Sequence, residues 1–229
     1  MTVPEVGACR NLTAADIEAT TNATALTDCA DPHNAQTYAS GRLPARFADA
    51  SYDDGAVADW AYSTCTSGLE RHLGADESLV MRTILTWVWF RPSSSAWSQG
   101  ARWYRCDLIG GQAPDYIDLP TSTAGLLRGH AIDDQWLACA RGDSVDGGTR
   151  VPCSQPHDWR AVSTIKVGEP GDPYPGDDQV KAKTDSYCRD SVSASLGYPD
   201  TYDYGYTWFG AQEWAAGNRR SVCWARTSS

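Results

Sequence analysis

The chain has 229 residues, with 19 basic against 29 acidic side chains and a formal net charge of -10. That length suits one large domain or two of about 100 residues, and the acidic balance leaves no basic surface for nucleic-acid phosphates or an anionic bilayer. Eight cysteines without a Cys-x-x-Cys zinc pair read as four disulfides made in an oxidising, extracytoplasmic compartment, reached by a signal peptide or N-terminal membrane anchor outside this sequence.

In chain order, a short strand around Cys9 is followed by Cys29-Ala-Asp-Pro32-His33-Asn34, which leads into a strand over residues 33–39. Asp54 then serves as an N-cap for a helix whose Val57, Ala61, Cys65, Leu69 and Leu73 recur at four-residue spacing, with Gly74 as its stop. Thr83, Leu85, Trp87 and Trp89 alternate as in a strand. Trp97-Ser-Gln-Gly100-Ala-Arg102 leads to a last strand over residues 103–108 that carries Cys106. Residues 110–135, with Gly110, Gly111, Pro114 and Pro120, read as a linker holding a short strand near residues 116–119.

The pattern then begins again. Cys153-Ser-Gln-Pro156-His157-Asp158 repeats the first Pro-His element, and Asp177 stands as the cap of a helix with Val180, Thr184, Cys188, Val192 and Leu196 before Gly197. Tyr202, Tyr204, Tyr206 and Trp208 alternate, and Trp214-Ala-Ala-Gly217-Asn-Arg219 leads to Cys223. The cysteines therefore fall into two sets in one order, Cys9, Cys29, Cys65, Cys106 and Cys139, Cys153, Cys188, Cys223. The expected fold is α+β: two homologous disulfide-stapled repeats, residues 1–109 and 136–229, each an antiparallel sheet with one helix in the order β-β-α-β-β. Three connectivities are open within each set. The preferred one joins Cys9 to Cys29 and Cys139 to Cys153 across the first hairpin, and Cys65 to Cys106 and Cys188 to Cys223 from helix to last strand.

Candidate chemistry is sparse. His33, His72, His130 and His157 are the histidines, and Cys with His four residues on would suit a metal or a thiolate–imidazole pair. With complete cysteine sets the better reading is oxidised cysteine and an imidazole bonded to backbone. The loop from Glu169 to Asp178 carries enough carboxylates for weak calcium, but it lacks EF-hand spacing and reads as solvated, with Asp177 used as a cap. Trp89, Trp97, Trp208 and Trp214 occur in both copies and read as core. Trp103, Trp159 and Trp224 lack a counterpart and are assigned, with Tyr174, Asp177 and Asp178, to a candidate binding surface. Asn11-Leu-Thr and Asn22-Ala-Thr are glycosylation acceptors only in a eukaryotic host.

The order Cys, Cys-x-x-Pro-His, helical Cys after a turn such as Tyr174-Pro175-Gly176, and Trp-x-x-Gly-x-Arg before a final Cys resembles the septum-formation domain family of actinobacteria. The resemblance covers both halves and implies an extracytoplasmic region behind a membrane helix, with a part in cell division. It brings no catalytic residue or ligand. The first copy departs where Tyr52-Asp53-Asp54 stands for Tyr-Pro-Gly-Asp and Asn34 for Asp158. The expectation is a non-enzymatic binding or scaffolding module of the cell envelope, without cofactor or metal, whose partner is an envelope or divisome protein. The alternatives are a glycan-binding module that stacks sugar rings on tryptophan, and an envelope hydrolase using His33 or His157.

Overall fold

Hydrophobic spacing at period two and at period 3.6 is realised in the computed structural model, which describes residues 2–129, 131–169 and 171–227, as two α+β units, each with its own antiparallel sheet. One unit takes the chain up to Ala75 together with Leu85–Arg128; the other takes Asp76–Ile84 and the chain from Gly129 on.

The first unit runs β1 (Cys9–Arg10), α1 (Ala14–Glu18), β2 (Ala35–Arg42), a 3-10 turn (Ala45–Phe47) and α2 (Gly55–Leu73). After α3 (Glu77–Val80), which belongs to the other unit, come β3 (Leu85–Phe90), α4 (Ser94–Ser98), β4 (Trp103–Gln112) and β5 (Asp115–Tyr116). The second unit continues with β6 (Ala138–Arg141), β7 (Thr149–Pro152), β8 (Trp159–Lys166), α5 (Asp177–Ser195), β9 (Tyr204–Thr207), α6 (Ala211–Ala215) and β10 (Arg220–Arg226). Strand order is β1-β2-β4-β3 in the first sheet, with β5 on β4, and β7-β6-β8-β10-β9 in the second. The two sheets correspond strand for strand, so the expected β-β-α-β-β plan holds in each. The second unit adds β7, where the first has only the bridge between Cys9 and Thr27. Both sheets carry a bulge at the same place, opposite the residue that follows the last cysteine, where Tyr38 and Val162 are the extra residues.

Each long helix covers one face of its sheet. In α2 the Asp54 carboxylate accepts from the Ala56 amide, Gly74 closes the helix at φ 75°, and Val57, Ala61, Cys65, Leu69 and Leu73 are all buried. In α5 the cap differs from the expected one: Gly176 occupies the N-cap position at φ 93°, and Asp177 is the first helical residue. Its carboxylate accepts from the Tyr174 hydroxyl, and with Asp178 it places negative charge in the first turn, where the helix dipole favours it. Leu196 lies beyond the buried stripe of Val180, Thr184, Cys188 and Val192 and is 42% exposed. The four disulfides join Cys9 to Cys29, Cys65 to Cys106, Cys139 to Cys153 and Cys188 to Cys223, in the expected connectivity.

Two segments depart from the expected boundaries. Residues 110–128 are no linker: Leu119 donates its amide to the His33 carbonyl, and the Leu127 amide bonds the Leu73 carbonyl at the end of α2. Residues 76–84 leave the first repeat to pack in the second unit. There Thr83 bridges Leu137, Ile84 bonds the Trp136 carbonyl, Glu77 pairs with Arg220, and Met81 joins the core around Trp224. Both exceptions arise because backbone amides in these stretches find partners that the local sequence does not announce.

Candidate functional site

The side chains of the two Pro-His elements and of the two Trp-x-x-Gly-x-Arg elements take matching structural roles, whereas Trp89 and Trp208, expected in the core, are only partly buried. His33 Nδ1 lies 2.8 Å from the Asp31 carbonyl and His157 Nδ1 lies 2.7 Å from the Gln155 carbonyl, so each imidazole donates to the backbone two residues before it, across the proline. His33 has no exposed surface. The neighbouring Asn34 and Asp158 also act alike. Asn34 accepts from the Leu12 amide and Asp158 from the Gly142 amide, each at 2.8 Å, fixing the turn after the first strand.

The second motif folds back on itself. Trp97 and Trp214 are buried, and their indole N–H groups donate to the carbonyls of Ala50 and Asp172, tying down the loop that precedes each long helix. Arg102 lies 4.1 Å over the Trp97 ring and donates to the Trp97 carbonyl; Arg219 lies 3.8 Å over Trp214 and does the same. Gly100 at φ 89° and Gly217 at φ 107° supply the left-handed turn that brings the arginine back.

The copies diverge on the sheet face away from the long helix. Cys106 and Cys223 point to the helix, so by alternation the residues on either side of each point to the opposite face. In the first unit these are Arg105 and Asp107, joined by Arg10 and Thr37. Asp107 is fully buried, 2.9 Å from Arg105 and 3.9 Å from Arg10, and accepts from the Thr37 hydroxyl at 2.7 Å. Burial pushes the Asp107 carboxyl up and both guanidiniums down, against their mutual attraction. The same layer of the second unit is apolar: Ala140, Ala161, Val222 and Trp224 stand where Arg10, Thr37, Arg105 and Asp107 stand in the first. Trp224 donates its N–H to Thr207.

Above this layer the cover also differs. In the first unit the 20-residue span from Cys9 to Cys29 includes α1, and Leu12 and Ile17 pack there with Phe90 and Ile109. In the second unit the corresponding span, Cys139 to Cys153, is 14 residues and holds no helix. The shorter hairpin loop leaves a cleft of about 350 Å³ between itself and β9. Trp159, Asp143, Asp146, Asp203 and Arg226 form part of its lining. Gly205 is required there, since a Cβ on it would come within 2.9 Å of Val145 Cγ2 in the loop. The first copy has Val88 at that position in β3.

Among the expected binding residues, Trp159 alone lines this cleft, and it is only 5% exposed. Trp224 is wholly buried, correcting its assignment to the surface: its position on a central strand turns it into the core. Trp103 belongs to the first unit and packs with Leu12 and Phe90. Tyr174 packs on Trp214, and its hydroxyl, bonded to Asp177, has its pKa pushed up to about 12. Asp178 is exposed in the first turn of α5. In the 169–178 loop Asp172 accepts from the Glu169 amide. Among the described residues no group of three or more His, Cys, Asp or Glu is placed to hold a metal; His130 lies outside the described residues. The cleft acids went unnoticed in the sequence, although the shorter Cys139–Cys153 spacing and the glycine inside an aromatic strand were both visible signs.

A family model described as septum formation matches residues 1–90 and again residues 83–223. Comparison with curated proteins and with solved structures gave no match.

Proposed function

This chain belongs to the septum formation family, and from that membership we propose that it is a non-catalytic binding or scaffolding module at the cell envelope, acting through protein partners in cell division or septum assembly. The family points to division, and its four disulfides, two within each unit, suit an extracytoplasmic setting. No helix among the described residues is long and apolar enough to cross a membrane.

The observation that carries the binding reading is the contrast between the copies. Both Pro-His elements and both Trp-x-x-Gly-x-Arg elements are turned to internal tasks, while the second unit has, beside β9, a cleft lined by three exposed acids. A wholly buried His33 is a poor candidate for contact with a wall substrate. The test is deletion with complementation, combined with crosslinking in living cells and affinity capture. Misplaced or delayed septa on deletion, and recovery of envelope or division proteins on capture, support the proposal. Normal septa together with binding to purified cell wall alone would replace it with the glycan-binding alternative.

A further inference from the structure

We propose that the cleft of the second unit is the seat of a lysine or arginine side chain presented by an extended segment of a protein partner, an inference that deepens the binding-module reading and rests on it. Asp143, Asp146 and Asp203 line the cleft and are exposed, and none of the three carboxylates has an ion pair or hydrogen bond among the described residues. Against them the lining offers one cation, Arg226, so the cleft carries excess negative charge and its field attracts a cationic group.

Arg226 also shows which chemistry the lining accepts. Its guanidinium lies 5.3 Å over the Trp159 ring, within the distance at which an aromatic face attracts a cation. An incoming lysine or arginine would meet the carboxylates in a hollow whose volume of about 350 Å³ falls in the range of ligand pockets, with the Trp159 ring beneath Arg226 in its wall.

The rim favours an extended chain as carrier. Among the described residues β9 is the last strand of its sheet and pairs only with β10, leaving an unpaired edge beside the cleft along Tyr204–Thr207. A partner segment adding to that edge gains main-chain hydrogen bonds, and its alternate side chains point to one face. The rings of Tyr204 and Tyr206 pack with the α5 side of the sheet, so Gly205 marks the stretch of edge next to the cleft. The first unit lacks this arrangement, since α1 covers the corresponding face.

The test uses the full chain and a fluorescent peptide of alternating lysine and threonine, with a glutamate–threonine peptide, an N-acetylglucosamine oligomer and calcium as separate probes. The isosteric variant Asp143→Asn/Asp146→Asn/Asp203→Asn is compared with Asp31→Asn/Asp49→Asn/Asp59→Asn, three exposed acids of the first unit, once both variants are shown to melt as the parent does. The lysine peptide is expected to bind the parent at least about tenfold tighter than the glutamate peptide, and the cleft variant to lose about tenfold while the control variant changes less than about twofold. Equal loss in both variants, an unaltered cleft variant, or binding of the oligosaccharide or calcium with none of the peptide would overturn the proposal. Capture of envelope proteins from crosslinked cells by both the parent and the cleft variant would refute the cleft and leave the binding module standing. Capture by neither would refute the binding module itself.

Discussion

Asp107, held between Arg10 and Arg105 in the first unit, shows how the two copies solve one packing problem with opposite chemistry. A buried carboxylate flanked by two guanidiniums is stable as a group and fragile to the loss of one member, because the remaining charges stay buried without compensation. Asp107→Asn is expected to destabilise the chain by about 3–5 kcal/mol in urea unfolding. Replacing the whole layer by apolar residues, Arg10→Met, Thr37→Val, Arg105→Met and Asp107→Leu, is expected to cost less than the single change, as the apolar layer around Trp224 suggests. A larger loss in the fourfold variant would show that the charges are needed for folding. His72 yields a pH prediction. Its Nε2 lies 2.7 Å from Thr123 Oγ1, whose proton goes to Gln36 Oε1 at 2.6 Å, so the imidazole donates from Nε2. Burial lowers its pKa below the ordinary 6.5. The unfolded chain then binds the proton first, so the contribution of His72 to stability is full above about pH 6.5 and declines as pH falls toward the folded value. His72→Gln is expected to flatten the stability profile between about pH 7 and pH 5; an unchanged slope would assign the titration elsewhere.

At the scale of elements, the disulfides differ in the chain length they close. Cys65–Cys106 spans 41 residues and Cys139–Cys153 spans 14, so in the loop-entropy account the first restrains the unfolded chain more. Removing it by paired alanine substitution is expected to cost about 1 kcal/mol more than removing the shorter one, as read by denaturant midpoint; the reverse order would contradict that account. Residues 76–84 carry a second prediction. Arg82 donates to the Val162 carbonyl and accepts at its own carbonyl from Ala138, while Ser78 bonds Thr164. A fragment starting at Gly129 lacks all of these and is expected to melt below the second unit of the intact chain, with recovery on adding a peptide of residues 76–84. An unchanged melting temperature would show the segment to be dispensable. The long helices, their apolar stripes and the cysteine pairing were legible in the sequence because periodicity and duplication report them directly. The placement of residues 76–84 was not, since it depends on backbone hydrogen bonds to Trp136 and Ala138, more than 50 residues away, and on side-chain bonds to Val162 and Thr164 in β8, which no local pattern encodes. The α5 cap was misread because Gly176 and Asp177 are both acceptable at a helix start.

For the whole molecule, duplication provides an internal comparison that a single repeat would not offer. Positions alike in both copies, such as Trp97 with Trp214 and His33 with His157, turn out to hold loops and turns in place. The difference that opens a surface is a hairpin loop six residues shorter, 14 against 20 between paired cysteines. Tryptophans without a counterpart misled the sequence reading, because Trp224 lacks a partner for the reason that it replaces Asp107 in the core. The most direct test of a septal binding module whose second unit carries the contact face is site-specific photocrosslinking in dividing cells. The probe is placed at Ser144 on the cleft loop and, as control, at exposed Ala30 in the first unit. The expected result is a discrete adduct with an envelope or division protein from position 144, enriched at the septum and absent from position 30. Adducts of equal yield from both positions, or none from either, would contradict the account.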